Sequence, residues 1–392
     1  MGYDFDTFID RRSTHCEKWD GMEHRYGVSP EDGIAMWVAD MEFLPPPEVN
    51  DAIRISADHG IHGYPGDFGA YHEAIVEWMT RRHNWDINPE WILTTHGTVM
   101  AVNLLVQTFC RPGDKVVLQT PVYYPFFTVV TGNGCEVLDN RLVKIRGRYE
   151  MDLDTLGTQV DRRTRMLILC SPHNPGGRVW KPDELERLVE FCLSRDILIV
   201  SDEIHNDLVY EGHTHTVLAS LGPDVAQHVI TCTSASKTFN LAGTMTGNVI
   251  IPNVGLRRRF LGQMARCGVH GPNSFGPMAA MAAYTHGEPW LEELLAYLRD
   301  NRDRVEEVVE NLMPGVTCMP LEGTYLSWLD FSNIGLPMNE IVRRVQQDAR
   351  LALNHGPTFG PGGENHMRLN FACPRSMLDE ALDRLARAFA DV

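Results

Sequence analysis

Residues 196–205 read DILIVSDEIH, a short apolar run that begins after Asp196 and is followed by two carboxylates, Asp202 and Glu203. Four other stretches are equally short, apolar and rich in β-branched residues, as buried strands of a largely parallel sheet are. Amphipathic helical patterns, such as the one over residues 181–196, separate them. The alternation predicts an α/β fold. The other four stretches are DKVVLQTP at 114–121, RMLILCSPHNP at 165–175, HVITCTSASK at 228–237 and GNVIIP at 247–252.

The C-terminal part of the chain has a different character. Long charged helical patterns surround short strand patterns at residues 324–331 and 366–374. This combination predicts a smaller α+β domain, which the N-terminal residues complete in space. We therefore expect a large domain over residues 46–286, and a small domain formed by residues 1–45 together with 287–392.

Composition argues against several classes of function. A net charge of -17 argues against binding to a nucleic-acid backbone, which needs a basic face, so we expect no nucleic-acid partner. No apolar run reaches the roughly 18–20 residues of a membrane helix, and the first residues carry no apolar signal core, so we expect a cytoplasmic protein without a membrane partner. The nine cysteines form no C-x-x-C pair and H-E-x-x-H is absent, which predicts reduced thiols and no metal site.

Polar side chains follow three of the apolar stretches, close to the point where each predicted strand ends. They are Asn174, Asp202 and Lys237. Because ligands of open α/β sheets bind beyond the carboxyl ends of the strands, an amide, a carboxylate and an amine are predicted to converge on one site. A turn or a helix cap explains each residue singly, but not all three together.

An earlier element predicts a phosphate site. Gly97, Thr98 and Val99 stand where a helix pattern begins, and the free backbone amides of a helix start, with the Thr98 hydroxyl, suit a phosphate. The stretch TPVYYPFF follows the strand pattern at 114–121, and its Tyr123 or Tyr124 is placed to stack on a planar ring, although such a pair is more often part of the core.

Arg368 lies inside the apolar strand pattern HMRLNFACP. A buried arginine needs an anionic partner, and its planar guanidinium matches a carboxylate in a two-point contact. The residue therefore predicts a binding site for a carboxylate.

The stretch SASKTFN at residues 234–240 allows two interpretations of Lys237. As S-x-x-K it matches the nucleophile motif of serine acyl transferases, in which a lysine activates Ser234. Alternatively, Lys237 is the nucleophile, and Ser234 and Ser236 help to bind a nearby phosphate. The second interpretation is favoured, because S-x-N and K-[ST]-G elements are absent and this stretch follows a strand, whereas the acyl-transferase motif opens a helix.

Seven stretches in one order carry a resemblance that covers essentially the whole chain. They are MWVADMEF at 36–43, HGYP at 62–65, TPVYYPFF at 120–127, SPHNPGGRVW at 171–180, DEIHNDLVY at 202–210, SASKTFNLAG at 234–243 and MRLNFACPR at 367–375. With them the sequence resembles the fold-type I pyridoxal 5'-phosphate (PLP) enzymes of the class I/II aminotransferase superfamily, and within it the cystathionine β-lyase-like, MalY/PatB type of carbon-sulfur lyase. The resemblance implies a large domain with a mostly parallel mixed sheet between helices, plus the smaller α+β domain.

The resemblance implies PLP as cofactor and a role for each candidate residue. Lys237 would hold PLP as a Schiff base and remove the substrate's α-proton, Asp202 would pair with the ring nitrogen, and Asn174 would contact the ring 3-oxygen. Arg368 would bind the α-carboxylate of an amino-acid substrate. The Tyr123 ring would stack on the cofactor ring, and Asn174 and Tyr123 would also lie beside the substrate. The phosphate would be surrounded by Gly97, Thr98, Val99, Ser234 and Ser236. Tyr64 would reach the phosphate of the neighbouring subunit, which implies a homodimer with active sites at the subunit interface.

Two positions depart from the aminotransferase pattern. Thr244, Met245 and Thr246 stand where many aminotransferases carry an arginine that pairs with the phosphate. His205 stands where they carry a tyrosine that contacts the ring oxygen, so it is a further candidate cofactor contact. Both features resemble the lyase branch.

The expected activity is therefore β-elimination from L-cystathionine or an L-cysteine S-conjugate, giving a thiol, pyruvate and ammonia. Three alternatives remain open. A class I/II aminotransferase would use the same residues, a serine acyl transferase would use Ser234 with Lys237, and a regulatory protein would keep the PLP fold but act by binding a partner.

Overall fold

The computed structural model describes residues 2–392. Its strands are β1 Ile34–Ala35, β2 Ile92–Thr95, β3 Lys115–Leu118, β4 Glu136–Asp139, β5 Val143–Ile145, β6 Arg148–Glu150, β7 Thr164–Cys170, β8 Leu198–Asp202, β9 Val229–Thr233, β10 Gly247–Ile250, β11 Thr317–Cys318, β12 Leu326–Asp330, β13 Leu351–Ala352, β14 Asn354–His355 and β15 His366–Asn370.

Helices lie between most of these strands. The α-helices are α1 Glu17–Asp20, α2 Met22–Tyr26, α3 Pro47–His59, α4 Gly69–His83, α5 Thr98–Phe109, α6 Pro125–Gly132, α7 Leu153–Gln159, α8 Pro182–Leu193, α9 Pro223–Ala226, α10 Ala235–Thr238, α11 Val254–Arg266, α12 Phe275–His286, α13 Glu288–Leu312, α14 Met338–Arg343 and α15 Arg375–Ala388. Short 3-10 turns cover Pro89–Trp91, Leu218–Leu221, Ala242–Thr244 and Gly356–Phe359, and a π-helical turn covers Arg344–Asp348.

A seven-stranded sheet forms the centre of the molecule, in the order β2-β10-β9-β8-β7-β3-β4. Strand β10 is antiparallel to both of its neighbours, and the other pairs are parallel. All five predicted strands occur in this sheet. The predicted α/β class, with a mostly parallel mixed sheet between helices, is confirmed.

Both faces of this sheet are buried. In β7, the side chains of Met166 and Ile168 join one apolar cluster, whereas those of Leu167 and Leu169 join the other. Successive side chains of a strand point to opposite faces, so a strand that is covered on both sides must be apolar throughout. This is why the strands read as continuous apolar runs.

A smaller antiparallel sheet, in the order β11-β12-β15-β14, lies in the C-terminal part of the chain. The N-terminal segment reaches this part through β1, which pairs in parallel with β13. Helices α13 and α15 pack together beside it. The boundaries of a large domain at residues 46–286 and a small domain at 1–45 with 287–392 stay predictions. Within residues 2–392, no helix combines the length and the apolar character that crossing a bilayer requires.

Candidate active site

A cleft of about 560 Å³ lies at the carboxyl ends of the sheet strands. Its walls come from loops that follow several different strands, which is where an α/β sheet places its ligand site. Six of the predicted site residues line it: Gly97, Thr98, Val99, Tyr123, Ser236 and Lys237. His96, Met100, Asn103, Thr128, Val129, Ile204, Ala242 and Met245 complete the lining.

The start of helix α5 forms one wall. Gly97 precedes the helix with a φ of 90°, a left-handed conformation that favours glycine. Gly247 on β10 packs directly against this turn, since a Cβ there would lie 2.7 Å from the Gly97 carbonyl carbon. The close approach fixes the turn, and the first amides of a 12-residue helix then face the cleft with the positive end of its dipole. This wall suits a phosphate group.

Lys237 lies on the short helix α10, directly after β9. Its Nζ donates a hydrogen bond to the backbone carbonyl oxygen of Ala39 at 2.6 Å. Burial lowers the pKa of Lys237 to about 8, and the Arg368 cation also lowers it, whereas the Asp40 and Asp202 carboxylates raise it. An amine in this setting is available as a neutral nucleophile or base near neutral pH.

Ser234 has a structural task that leaves its hydroxyl occupied. The hydroxyl donates to the Thr246 carbonyl oxygen at 2.6 Å, and its oxygen accepts from the Ser236 backbone amide at 3.1 Å, as an N-cap does. The stretch SASKTFN follows a strand, as predicted, but it also begins a helix, α10. The predicted difference from the acyl-transferase motif, which begins a helix, is therefore wrong. With Lys237 bonded to Ala39 instead, the geometry gives Ser234 no activating base.

Asp202 ends β8 at the centre of the sheet. The register places it between Cys170 on β7 and Cys232 on β9, and both thiols are buried. Burial raises the pKa of Asp202 to about 7, because its side chain accepts only one weak hydrogen bond, from the Ile204 amide at 3.3 Å, among residues 2–392. Such a carboxylate is stabilised by any cation that binds beside it.

Arg368 lies in β15, buried to 2% exposure. Its guanidinium donates to Asn174 Oδ1 at 2.9 Å, to the Trp37 carbonyl oxygen at 2.7 Å and to Asn354 Oδ1, and it lies 5.0 Å from the centre of the Phe359 ring. All these partners are uncharged, and Nε has no hydrogen-bond partner among the described residues. Within residues 2–392, Arg368 is thus a buried cation without a counter-ion, which suits a carboxylate ligand.

His205 is buried, and its chain neighbour Ile204 lines the cleft. Its Nδ1 has no hydrogen-bond partner within residues 2–392, and its ring packs edge-on against Tyr325 at 6.0 Å. Burial lowers the pKa of His205, and the Lys237 and Arg368 cations lower it further. The imidazole is therefore neutral and has a free ring nitrogen close to the site.

Tyr64 lies away from the Lys237 cleft. Its side chain is fully exposed, in a segment between α3 and α4. It lines a different surface pocket of about 490 Å³, whose other wall includes Pro277 and Met281 of α12. Within one chain, the structure does not bring Tyr64 to the other site residues.

The comparisons with known proteins agree with one another. The sequence model described as aminotransferase class I and II matches residues 31–385, most of the chain. The chain belongs to this family. Within the family it is 41% identical to cystathionine beta-lyase PatB of Bacillus subtilis (strain 168), over 98% of this chain and 100% of that protein. It is 30% identical to protein MalY of Escherichia coli (strain K12), over the full length of both chains. The resemblance to the MalY/PatB branch is confirmed.

A solved structure supports the same placement. The crystal structure of cystalysin from Treponema denticola, which contains a pyridoxal 5'-phosphate cofactor, is 37% identical and superposes with a TM-score of 0.95 over 100% of both chains. This member of the class I and II aminotransferase family therefore shares the fold of a PLP-containing enzyme.

Several residues that hold the site together were not predicted from the sequence. Ala39 accepts hydrogen bonds from both Lys237 Nζ and the Tyr325 hydroxyl, the latter at 2.8 Å. Asn240 and Asn370 hold the segment around Ala39 through its backbone. The stretches MWVADMEF and SASKTFNLAG contain Ala39 and Asn240, but a backbone acceptor has no residue type by which a sequence could reveal it.

A buried carboxylate supports the helix that carries Lys237. Asp207 accepts hydrogen bonds from Trp78 Nε1 at 3.1 Å, from His83 Nε2 at 2.9 Å and from the Thr238 hydroxyl at 2.7 Å. Thr238 is the neighbour of Lys237, so Asp207 joins α10 to α4. The DEIHNDLVY stretch contains Asp207, yet nothing in its pattern separates it from an exposed aspartate.

Proposed function

We propose that the protein is a PLP-dependent carbon-sulfur β-lyase that cleaves L-cystathionine or L-cysteine S-conjugates to a thiol, pyruvate and ammonia. One observation carries the class of reaction: among residues 2–392 the buried Arg368 has no counter-ion, and its charge acts together with burial to lower the pKa of the Lys237 amine to about 8. The choice of a lyase rests on the 41% identity to PatB, against 25% to aspartate aminotransferase of Pyrococcus abyssi.

The residues present fit PLP. Lys237 would hold it covalently through Nζ, and the start of α5 with the Ser236 hydroxyl would hold its phosphate. Asp202 offers a buried carboxylate without a cationic partner, which suits the protonated ring nitrogen. His205 offers an unpartnered ring nitrogen, and Tyr123 offers an aromatic face. No arginine lines the cleft among the described residues, so backbone amides and hydroxyls would make the phosphate contacts.

Arg368 would fix the substrate by its α-carboxylate. Its guanidinium is preorganised by Asn174 and the Trp37 carbonyl, and Nε remains free to donate. Two-point binding of a carboxylate by such a group orients the amino acid as well as attracting it.

Lys237 would act as the base once the substrate has displaced it. Nζ would take the proton from the substrate Cα, the electron pair of the Cα–H bond would form a Cα=Cβ double bond, and the Cβ–S bond would break with its own pair going to the thiolate. When bound, PLP supplies the electron-accepting ring that makes this proton acidic. The remaining three-carbon fragment takes up water and gives pyruvate and ammonia. Sulfur at Cβ suits this route, because thiolates leave more easily than hydroxide or carbanions.

The assembly and location are part of the same proposal. We place the active site at the interface of a homodimer, with Tyr64 reaching the phosphate of the neighbouring subunit. The full exposure of its ring, and of Ile61 nearby at 77%, supports this arrangement. We also place the protein in the cytoplasm, since all nine cysteines are free thiols.

An absorbance spectrum tests the cofactor site. Purified protein mixed with PLP should develop the visible band of a covalently bound cofactor, and Lys237→Ala should lack it. Lys115→Ala is the matched control, because Lys115 pairs with Asp161 at the surface, and this variant should keep the band. A band that survives in Lys237→Ala would contradict the assignment.

A further inference from the structure

Three distant parts of the chain meet at one backbone oxygen. The carbonyl of Ala39 accepts from Lys237 Nζ at 2.6 Å and from the Tyr325 hydroxyl at 2.8 Å. Tyr325 is completely buried, and burial raises its pKa well above the ordinary value, so its hydroxyl keeps its proton and can donate. Among residues 2–392, Ala39 is the hydrogen-bond partner of the Lys237 amine.

The neighbours of Ala39 are held independently. The Asn370 side-chain amide donates to the carbonyls of Val38 and Asp40, each at 2.6 Å, on either side of Ala39. The Asn240 side chain bonds the backbone of Met41 as both donor and acceptor. The Ala39 carbonyl is thus fixed in direction before Lys237 reaches it.

We propose that the Ala39 carbonyl is a docking position for the free amino group of Lys237, and that Tyr325, which anchors this carbonyl, is a positioning residue for the base. The proposal rests on the proposed function of Lys237. It adds Tyr325, which lies outside the seven motif stretches and does not line the cleft.

The chemistry of the acceptor fits this task. A carboxylate at hydrogen-bond distance would hold the amine in its protonated form through a full negative charge, whereas an uncharged carbonyl favours the ammonium less and also accepts a hydrogen bond from the neutral amine. A neutral amine that donates one N–H to Ala39 keeps its lone pair free. The amine is thereby oriented without losing its capacity to attack the cofactor or to take a proton.

Nearby charges of both signs shift the pKa of Lys237. Asp40 and Asp202 raise its pKa, and Arg368 and Lys18 lower it. Among the described residues neither carboxylate forms an ion pair with Nζ, and Asp40 pairs instead with Arg11 and Lys18. The hydrogen bond to Ala39 is thus the direct polar contact that Nζ makes among the described residues.

The test compares two tyrosine variants. Tyr325→Phe removes the anchor, whereas Tyr210→Phe removes an equivalent buried bond, from its hydroxyl to the Thr324 carbonyl at 2.7 Å, which does not involve Lys237. Apoprotein is mixed with PLP, and the growth of the visible band gives the rate of covalent attachment. We expect Tyr325→Phe to slow attachment about fivefold or more and to lower kcat with a smaller change in KM, while Tyr210→Phe stays within twofold of wild type.

Other outcomes are equally decisive. If both variants lower Tm similarly and leave the attachment rate and kcat unchanged, Tyr325 is structural only and the proposal is overturned. Ala39→Gly is a second variant that keeps every side-chain bond but loosens the carbonyl, and it should slow attachment in the same direction. A wild-type protein that forms no visible band would instead refute the proposed function itself.

Discussion

Arg368 and Asn174 are 194 residues apart in the chain and are joined by a hydrogen bond of 2.9 Å from Nη1 to Oδ1. The bond links the C-terminal sheet to the loop after β7. It preorganises a buried guanidinium whose charge has no counter-ion among the described residues, and we expect a substrate carboxylate to bind there.

Arg368→Lys should weaken substrate binding. Lysine keeps the charge but loses the planar two-point contact, so we expect kcat/KM to fall roughly 10- to 100-fold, mainly through KM. Steady-state kinetics with an S-alkyl-L-cysteine measures this. An amine analogue without the carboxylate should inhibit the variant and the wild type equally, and unequal inhibition would show that Arg368 does not bind this group.

Asp202→Asn should impair the chemical step and spare cofactor attachment. The amide fills the same space but cannot stabilise a cation with a negative charge, so kcat should fall by roughly 10²–10³-fold while the visible band remains. Asp224→Asn, at an exposed position of α9, is the control and should match wild type. A kcat for Asp202→Asn within threefold of wild type would refute the electrostatic role.

The rate of PLP attachment to the apoprotein should follow the ionisation of Lys237. Only the neutral amine attacks. Because burial lowers the pKa of Lys237 to about 8, the rate should rise with pH and level off above that value. Stopped-flow absorbance over a pH series measures this, with a free lysine derivative rising through about 10.4 as the comparison. A midpoint near that higher value would mean that Lys237 is not desolvated.

Asp207→Ala should destabilise the fold. The change leaves the indole of Trp78, the imidazole of His83 and the hydroxyl of Thr238 buried without their acceptor, so the free energy of unfolding should fall by about 3 kcal/mol or more. Urea unfolding of the apoprotein gives the value. Asp224→Ala should change it by less than about 0.5 kcal/mol, and an equally small effect at Asp207 would show that the contacts contribute nothing.

Much of the site could be predicted because residue type carried the signal. Asn174, Asp202 and Lys237 each follow or end an apolar run, and the parallel sheet brings the carboxyl ends of such strands together. Arg368 was conspicuous because an arginine within an apolar strand needs a partner. The helix start at Thr98 was predictable from the glycine before it and the apolar pattern after it.

The residues that could not be predicted act through the backbone or through tertiary contacts. Tyr325 reads as one more aromatic residue of a buried strand region, and only the fold places its hydroxyl at Ala39. Ser234 showed the limit of a motif, since its spacing from Lys237 matched acyl transferases while its hydroxyl caps a helix. Tyr64 needs a second subunit for its predicted role, and a single chain leaves it exposed.

The central claim is the fate of the substrate, because an aminotransferase would use the same residues. The most direct measurement supplies the PLP-loaded protein with an S-alkyl-L-cysteine, without any 2-oxo acid, and follows pyruvate and free thiol together. We predict equal amounts of both, accumulating over many turnovers per active site. Formation that stops at one equivalent per site, or that requires an added 2-oxo acid, would contradict the assignment as a carbon-sulfur lyase.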